Sequence, residues 1–319
     1  MAFDDRSASR ARLEGTPYSC SMPEYPDVVV YIESLERKLN GQTLERIRLA
    51  SPFLLRSVEP ALTEFEGRQI TGFERLGKRI AFAFEGELFL VLHLMISGRL
   101  RWKARGFDVP KKRGLAAFDF AHGTLLLTEA SSRKRASLHA VRGRAALREH
   151  NPGGLEVFEA TVEQFGQALQ VENRTLKRAL TNPRRLSGIG NAYSDEILQR
   201  AKLSPLKLTQ RLTDAEIATL FEVTRTTLTE WTERLRADVG DEFPDKVTAF
   251  RPEMAVHGKF GEACPECGTT VQRISYASNE TNYCPRCQTG GRLLADRALS
   301  KLLKDDWPKT VDEWENPSA

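Results

Sequence analysis

Two pairs of cysteines near the end of the chain constrain its fold more than any other feature. Cys264 and Cys267 form one Cys-x-x-Cys pair, Cys284 and Cys287 form a second, and residues 268–283 lie between them. Each pair can place two thiolates about 2.3 Å from one zinc ion, so two pairs complete a tetrahedron. Four protein ligands leave no open coordination position. The spacing therefore predicts a zinc ribbon, with disulfides or free thiols as the alternative.

The composition is that of an ordinary globular protein. Its 319 residues suggest about two domains and a smaller module. The longest apolar run, residues 88–96, is too short to span a membrane, and the first 22 residues lack the apolar core of a secretory signal. The net charge of +4 does not by itself indicate a nucleic-acid partner. The fifth cysteine, Cys20, lies in a polar, irregular extension and is predicted to be a free thiol.

The first half of the chain reads as one helix followed by strands. Val28, Ile32, Leu35 and Leu39 follow a helical spacing that Gly41 stops. From about residue 43 to residue 145 the pattern is strand-like, with two strands predicted on either side of a tight turn at 122–123. Short strands without long helices between them favour an antiparallel sandwich or barrel.

The second half reads as helical up to the cysteine module. Thr213 and Glu216 form a capping box before a long apolar periodicity. A shorter helix is predicted over 192–200, after a Gly-Ile-Gly-Asn turn at 188–191. Between the two cysteine pairs, residues 271–283 alternate enough to form a hairpin.

Basic residues cluster in three segments, although the whole chain is nearly balanced. Residues 99–113 hold seven basic side chains against one acid, residues 133–148 hold six and no acid, and residues 174–211 hold nine against two acids. Such clusters in both halves, together with a zinc ribbon, suggest contacts to a phosphate backbone. Solvated surface charge is the plainer alternative for any one of them.

Five short motifs lie in order along the chain. They are Met22-Pro23-Glu24-Tyr25-Pro26-Asp27-Val28, Leu76-Gly77-Lys78-Arg79, residues 93–100, Gly188-Ile189-Gly190-Asn191-Ala192-Tyr193, and the cysteine module ending at Gln288. Each motif is weak by itself, but all five in this order are not expected by chance. Together they resemble the formamidopyrimidine-DNA glycosylase / endonuclease VIII family of base-excision repair enzymes.

The resemblance covers residues 22–288 and implies a multidomain α+β fold. An N-terminal helix with an antiparallel β-sandwich is expected over 23–150, a helix–two-turn–helix DNA-binding domain over 151–245, a four-cysteine zinc-finger hairpin over 246–290 and a tail over 291–319. Residues 1–22 would be an extension absent from the mature protein. The resemblance further implies one structural Zn²⁺, damaged double-stranded DNA as partner, no membrane association, a monomer, and a cytoplasmic location, at the nucleoid in a bacterium.

The implied activity is that of a bifunctional DNA glycosylase and abasic-site lyase. Pro23 matches the family's nucleophile, whose terminal amine attacks C1′ of an oxidised nucleotide and forms a Schiff base before β/δ-elimination. Glu24 would transfer protons, and Lys78 would contact a phosphate beside the lesion. Asn191 would contact DNA through its glycine-rich turn at a helix start, or would serve only as the helix N-cap.

Departures from the family pattern bear on DNA contacts. Ile96 stands where many members have a methionine that fills the space of the flipped base, so an apolar wedge is kept. The usual Asp-Pro-Arg-Arg-Phe-Gly loop is replaced by residues 129–137, in which Arg133 and Arg135 keep positive charge but no aromatic remains. The finger arginine falls at Asn279, which can hydrogen-bond a phosphate without a charge.

One obstacle is that Pro23 is internal, since an internal proline nitrogen is an amide and is not nucleophilic. We expect the working protein to begin at Pro23 after removal of Met22. A non-catalytic binder of damaged DNA is the alternative from another class, and a zinc-ribbon transcription factor is a weaker one. Specificity for oxidised purines or, as in endonuclease VIII, for oxidised pyrimidines stays open.

Overall fold

The computed structural model describes residues 22–245, 251–276, 279–295 and 308–315, so Cys20 lies outside the described residues. The helices are α1 Tyr25–Leu39, α2 Arg144–Glu149, α3 Val162–Gln170, α4 Leu176–Leu180, α5 Asn191–Arg200, α6 Asp214–Val239, α7 Pro285–Thr289 and α8 Val311–Glu315. The strands are β1 Arg46–Leu49, β2 Ile70–Leu76, β3 Arg79–Phe84, β4 Leu88–His93, β5 Gly98–Lys103, β6 Gly114–Phe120, β7 Gly123–Glu129, β8 Ser137–Arg142, β9 Gln272–Tyr276 and β10 Asn279–Tyr283.

Two four-stranded antiparallel sheets form the sandwich. Their strand orders are β1-β6-β7-β5 and β2-β3-β4-β8. One face of β3, with Ile80 and Phe82, joins the main core, to which α1 contributes Tyr31 and Leu35. The opposite face of β3 is also buried, because Ala81 and Ala83 belong to a second apolar cluster that includes Leu147 of α2. The predicted sandwich is confirmed, and both faces of its second sheet are covered.

One end of the sandwich collects the segments that matter for the site. The β2–β3 turn at 77–78 and the β4–β5 turn at 94–97 lie there, because β3 begins opposite the end of β4. The β7–β8 loop at 130–136 lies there too, since β8 begins beside that end of β4 and β7 finishes beside the start of β5. We call this edge the cleft end.

The helical half packs around its own core. Thr213 caps α6 through its hydroxyl, which accepts the N–H of Glu216, so the predicted capping box is confirmed. The apolar side of α6 contributes Leu220 and Trp231 to a cluster that also contains Tyr193 of α5. Between the two halves, the guanidinium of Arg236 on α6 bonds the carboxylate of Glu33 on α1.

The cysteine module forms a separate unit against the helical domain. The predicted hairpin is present as β9 and β10. Val256 and Val271 pack with Cys264, Cys284 and Cys287 in a small apolar cluster of their own. The side-chain amide of Gln288 donates to the carbonyl of Leu203 at 2.9 Å, which ties the finger to the chain just after α5.

Candidate functional site

The segment Pro23–Glu24 lies at the junction of the sandwich and the helical domain. Pro23 and Glu24 are both buried, immediately before α1. The backbone N–H of Tyr25 donates to the carbonyl of Gly188 at 2.9 Å, so the start of α1 is bound directly to the turn before α5. Two motifs that are far apart in sequence therefore meet at one point, which is the centre of the candidate site.

The carboxylate of Glu24 is held by the beginning of α5. It accepts backbone N–H groups from Gly190 at 2.5 Å, Ala192 at 2.8 Å and Tyr193 at 3.3 Å. The first N–H groups of a helix have no partner within the helix, and the helix dipole favours a negative charge there. The turn was expected to offer its N–H groups to a phosphate, but in this structure Glu24 occupies them.

Gly190 allows Glu24 and Lys78 to approach the same turn. A Cβ atom at residue 190 would lie 2.5 Å from Cδ of Glu24 and 2.7 Å from Nζ of Lys78, well inside ordinary contact distance. The glycine is therefore required by the close approach of these two side chains. It also forms the N-cap of α5, so Asn191 is the first residue inside the helix and is not the N-cap.

Lys78 reaches the site from the β2–β3 turn at the cleft end. Its ammonium donates to the carbonyl of Ile189 at 3.0 Å. Burial lowers the pKa of Lys78, and the nearby Glu24 carboxylate opposes that effect while Lys177 adds to it. A lysine with a depressed pKa beside a buried carboxylate is suited to electrostatic and proton-transfer roles.

Behind Glu24, Asp27 anchors the first turn of α1. Its carboxylate accepts the backbone N–H of Glu24 at 3.0 Å and lies 3.4 Å from the guanidinium of Arg251. Burial raises the pKa of Asp27 to about 6, against the lowering effect of Arg251. The sequence marked Asp27 only as a member of the first motif, and no motif includes Arg251.

Helix α5 also carries a buried ionic group that the sequence did not reveal. The ammonium of Lys177 donates to the Asp195 carboxylate at 2.5 Å, and the other oxygen of Asp195 lies 2.8 Å from Nδ1 of His257. Glu196 accepts three backbone N–H groups from residues 255–257. These bonds fix the segment before the zinc finger to α5. The sign of this group in the sequence is the pair of adjacent acids, Asp195 and Glu196, on a short predicted helix.

The remaining predicted DNA-contacting residues lie on four different elements. Asn191 is partly exposed, and its side chain forms no hydrogen bond with another described residue. Ile96 is partly exposed in the β4–β5 turn, whereas Arg133 and Arg135 are exposed in the β7–β8 loop, all at the cleft end. Asn279 begins β10, but its side chain lies outside the described part of the chain.

The four predicted zinc ligands converge on one point. Their Sγ atoms all lie within 4.8 Å of one another, with 4.0 Å between Cys264 and Cys287 and 3.4 Å between Cys267 and Cys284. A tetrahedral zinc with bonds of about 2.3 Å fits such spacings. Burial raises the pKa of the Cys284 and Cys287 thiols, so a bound metal would be needed to favour their thiolate forms. One structural zinc belongs here.

Family models match the chain in three consecutive parts. Residues 22–143 match the formamidopyrimidine-DNA glycosylase N-terminal domain, 155–239 match its H2TH domain, and 261–290 match the zinc finger found in FPG and IleRS. The formamidopyrimidine-DNA glycosylase of Thermus thermophilus is 33% identical over 279 residues, which cover 85% of this chain and 100% of that protein. The chain belongs to the formamidopyrimidine-DNA glycosylase family.

Other members of the family agree with this assignment. The formamidopyrimidine-DNA glycosylase of Heliobacterium modesticaldum is 31% identical, with 84% of this chain and all of that protein covered. Among solved structures, MutM in complex with carbocyclic 8-oxo-G containing DNA aligns with a TM-score of 0.75 at 26% identity, covering 84% of this chain and 100% of the other. A complex of Lactococcus lactis Fpg with DNA containing an abasic site aligns with a TM-score of 0.73 at 26% identity, covering 83% of this chain and 99% of the other.

No helix among the described residues is long and apolar enough to cross a membrane.

Proposed function

We propose that this protein is a base-excision repair DNA glycosylase that removes oxidised bases of the formamidopyrimidine and 8-oxoguanine type from duplex DNA. We further propose that it then cleaves the strand at the abasic site by β/δ-elimination. The observation that carries the proposal is the convergence of Pro23–Glu24 and Lys78 on the first turn of α5. Family membership and the DNA-bound structural relatives support DNA as the substrate.

Each residue has a distinct part in the proposed reaction. The secondary amine of Pro23 attacks C1′ of the damaged nucleotide and displaces the base, and loss of the amine proton with cleavage of the C1′–O4′ bond then gives the iminium. Model α-amino groups titrate near about 7.7–8.0, so a terminal amine supplies free base at neutral pH more readily than an ordinary lysine does. Glu24, held by α5 beside that amine, transfers protons during base loss and sugar opening. Lys78 and Asn191 contact phosphates on either side of the extruded nucleotide.

Covalent trapping with borohydride tests the nucleophile. The chain starting at Pro23 and the full chain are each incubated with a duplex containing one abasic site, and the products are separated by mass. We expect an adduct only when Pro23 is terminal, because Met22 otherwise makes its nitrogen an amide. Peptide mapping must place the adduct on Pro23, since Lys78 is a second amine of lowered pKa at the site. A Lys78→Arg variant, which still traps through Pro23, is the matched control.

A non-catalytic binder of damaged DNA is the second candidate. The amide at Pro23 in the full chain is the observation that favours it. If the chain starting at Pro23 binds abasic duplex but forms no adduct, the binder is correct and the enzyme proposal is wrong.

Lesion preference requires a separate measurement. The β7–β8 loop, residues 130–136, carries no aromatic side chain, so the usual indicator of oxidised-purine specificity is missing. Single-turnover excision from duplexes with formamidopyrimidine, 8-oxoguanine or an oxidised pyrimidine separates the proposed specificity from an endonuclease VIII-like one. Faster excision of the pyrimidine would favour the latter.

A further inference from the structure

An exposed aromatic side chain, that of Phe53, lies at the cleft end. Phe53 belongs to a short 3-10 helix, Pro52–Leu54, and 76% of its surface is exposed. Its neighbour Leu54 is 1% exposed and belongs to the main core. The chain thus turns one apolar side chain inward and presents the next one to solvent.

The segment that carries Phe53 is fixed across both sheets of the sandwich. On one side, the N–H groups of Ala50 and Ser51 donate to the carbonyl of Leu115 in β6. On the other side, the N–H of Arg56 donates to the carbonyl of Leu138 in β8 at 2.9 Å. We call this segment, residues 50–56, the strap. Because these hydrogen bonds already fix the backbone of the strap, little entropy is lost when Phe53 binds a partner.

The strap lies where the second DNA strand is expected. Along the second sheet the order β2-β3-β4-β8 places Lys78 at one side, Ile96 after β4, and the strap over β8 beyond it. With a strand spacing of about 4.8 Å, β8 is roughly 12 Å from the Lys78 turn, and the strap, which pairs with the outer edge of β8 through Leu55 and Leu138, is roughly 17 Å from it. That separation exceeds the width of a DNA groove, about 6–12 Å, so the Lys78 turn and the strap can contact different strands. If the lesion strand lies at Lys78, the opposite strand lies near Phe53.

The charge around Phe53 matches a nucleic acid. Six exposed basic residues lie on the strap and on the two neighbouring loop ends, and none of them forms an ion pair with another described residue. Unpaired cations around an exposed ring are the usual composition of a surface on which bases stack while phosphates are neutralised. The six residues are Arg56, Lys111, Lys112, Arg113, Arg133 and Arg135.

We propose that Phe53 stacks on a base of the strand opposite the lesion and so contributes to recognition of the opposite base. This inference rests on the proposed function for its substrate, a damaged duplex. Since the β7–β8 loop has no aromatic side chain, Phe53 supplies the aromatic contact at this edge of the cleft from a different element.

The test uses the full chain and a duplex with a tetrahydrofuran abasic analogue, placed opposite 2-aminopurine. This analogue is not cleaved, so binding is measured without catalysis. We expect wild type to change the 2-aminopurine fluorescence on binding. Phe53→Ala should bind about tenfold more weakly and lose that change, because stacking of a base on an aromatic ring is worth about 1–3 kcal/mol. Phe53→Trp should retain both properties.

Phe107→Ala is the matched control. Phe107 is also exposed, but its carbonyl bonds Arg48 and its neighbour Gly106 bonds Thr124, which places it at the opposite end of the sandwich. It should bind and report like wild type. Because Phe53 is exposed, Phe53→Ala should also keep the wild-type unfolding midpoint, which is measured alongside.

The proposal is overturned if Phe53→Ala matches wild type in affinity and fluorescence, or if it weakens binding to undamaged duplex to the same extent. The first result would mean that the strap serves another partner, and the second that Phe53 makes only a general contact with DNA. Borohydride trapping on a natural abasic duplex, with the chain starting at Pro23, separates this proposal from the enzymatic one. If that chain forms the adduct but Phe53→Ala leaves binding and fluorescence unchanged, only the stacking contact is refuted. If binding depends on Phe53 but that chain forms no adduct, only the catalysis is refuted. A wild type that does not bind the analogue duplex overturns the stacking proposal directly.

Discussion

Replacing Gly190 by alanine should separate the position of Glu24 from its chemistry. The added Cβ would lie 2.5 Å from Cδ of Glu24, whereas carbon atoms in contact are about 3.5–4.0 Å apart, so the carboxylate must retreat by about 1 Å. A displacement of that size can reduce a rate by about 10²-fold. The backbone of Gly190 has φ −132°, which alanine adopts without strain, so the effect is steric.

The same substitution should also cost stability. Glu24 accepts three backbone N–H groups, and a hydrogen bond to a charged group contributes about 1.5–3 kcal/mol. Loss of one or two of these bonds predicts a decrease of about 2–5 kcal/mol in the free energy of unfolding. The assays are single-turnover base excision by the chain starting at Pro23 and urea unfolding followed by circular dichroism.

Gly166→Ala in α3 is the control for the chemical change alone. Its Cβ would meet only the side chain of Ile217, whose Cγ2 methyl lies at 3.1 Å and can shift. We expect wild-type excision and a change in unfolding free energy within about 1 kcal/mol. If Gly190→Ala excises at the wild-type rate and unfolds with the wild-type free energy, the close approach of Glu24 to α5 does not exist in solution.

Three further predictions concern the carboxylates and the metal. Glu24→Gln presents an amide NH₂ to the N–H donors of α5. Base excision should therefore fall by about 10²–10⁴-fold, while trapping at a preformed abasic site continues. Equal losses in the two assays would contradict this prediction. Burial raises the pKa of Asp27 from 3.8 to about 6, so the folded protein binds an extra proton between those values and loses stability as the pH rises through that window. Asp27→Asn should therefore gain up to about 3 kcal/mol relative to wild type between pH 4 and pH 7 in urea unfolding, and a constant difference across this range would refute the assignment. Cys284→Ser should lose the fold of the finger and the single zinc, which is measured by atomic absorption. The sandwich should unfold as in wild type, because its core is separate from the finger cluster. A retained zinc would count against the four-cysteine site.

Local sequence patterns predicted the elements of this fold because each pattern reports a local preference. The capping box of α6, the pair of strands joined by a tight turn near residue 122 and the hairpin between the cysteine pairs are all present. The zinc ligands were predictable for the same reason, since two short Cys-x-x-Cys turns fix most of the coordination geometry by themselves. Pro23, Glu24 and Lys78 were found through resemblance to a family and not through any local preference.

Contacts between distant elements were not predictable from such patterns. Burial of Ala81 and Ala83 depends on the apolar cluster that Leu147 of α2 completes on the outer face of the second sheet, which strand alternation does not show. The network of Lys177, Asp195 and His257 joins three segments, and charged residues on a short helix are more often solvated. Arg251 approaches Asp27 from a distant part of the chain for the same kind of reason.

The sequence by itself determined the zinc ribbon, the division into strands and helices, and membership of a family through the order of five motifs. Tertiary structure alone decided what the turn before α5 binds. Glycines in that turn were compatible with a phosphate, with an N-cap or with close packing, because a glycine permits all three. Only the folding of α1 against α5 brings the Glu24 carboxylate to the N–H groups of Gly190, Ala192 and Tyr193, where the helix dipole and the exclusion of water hold it.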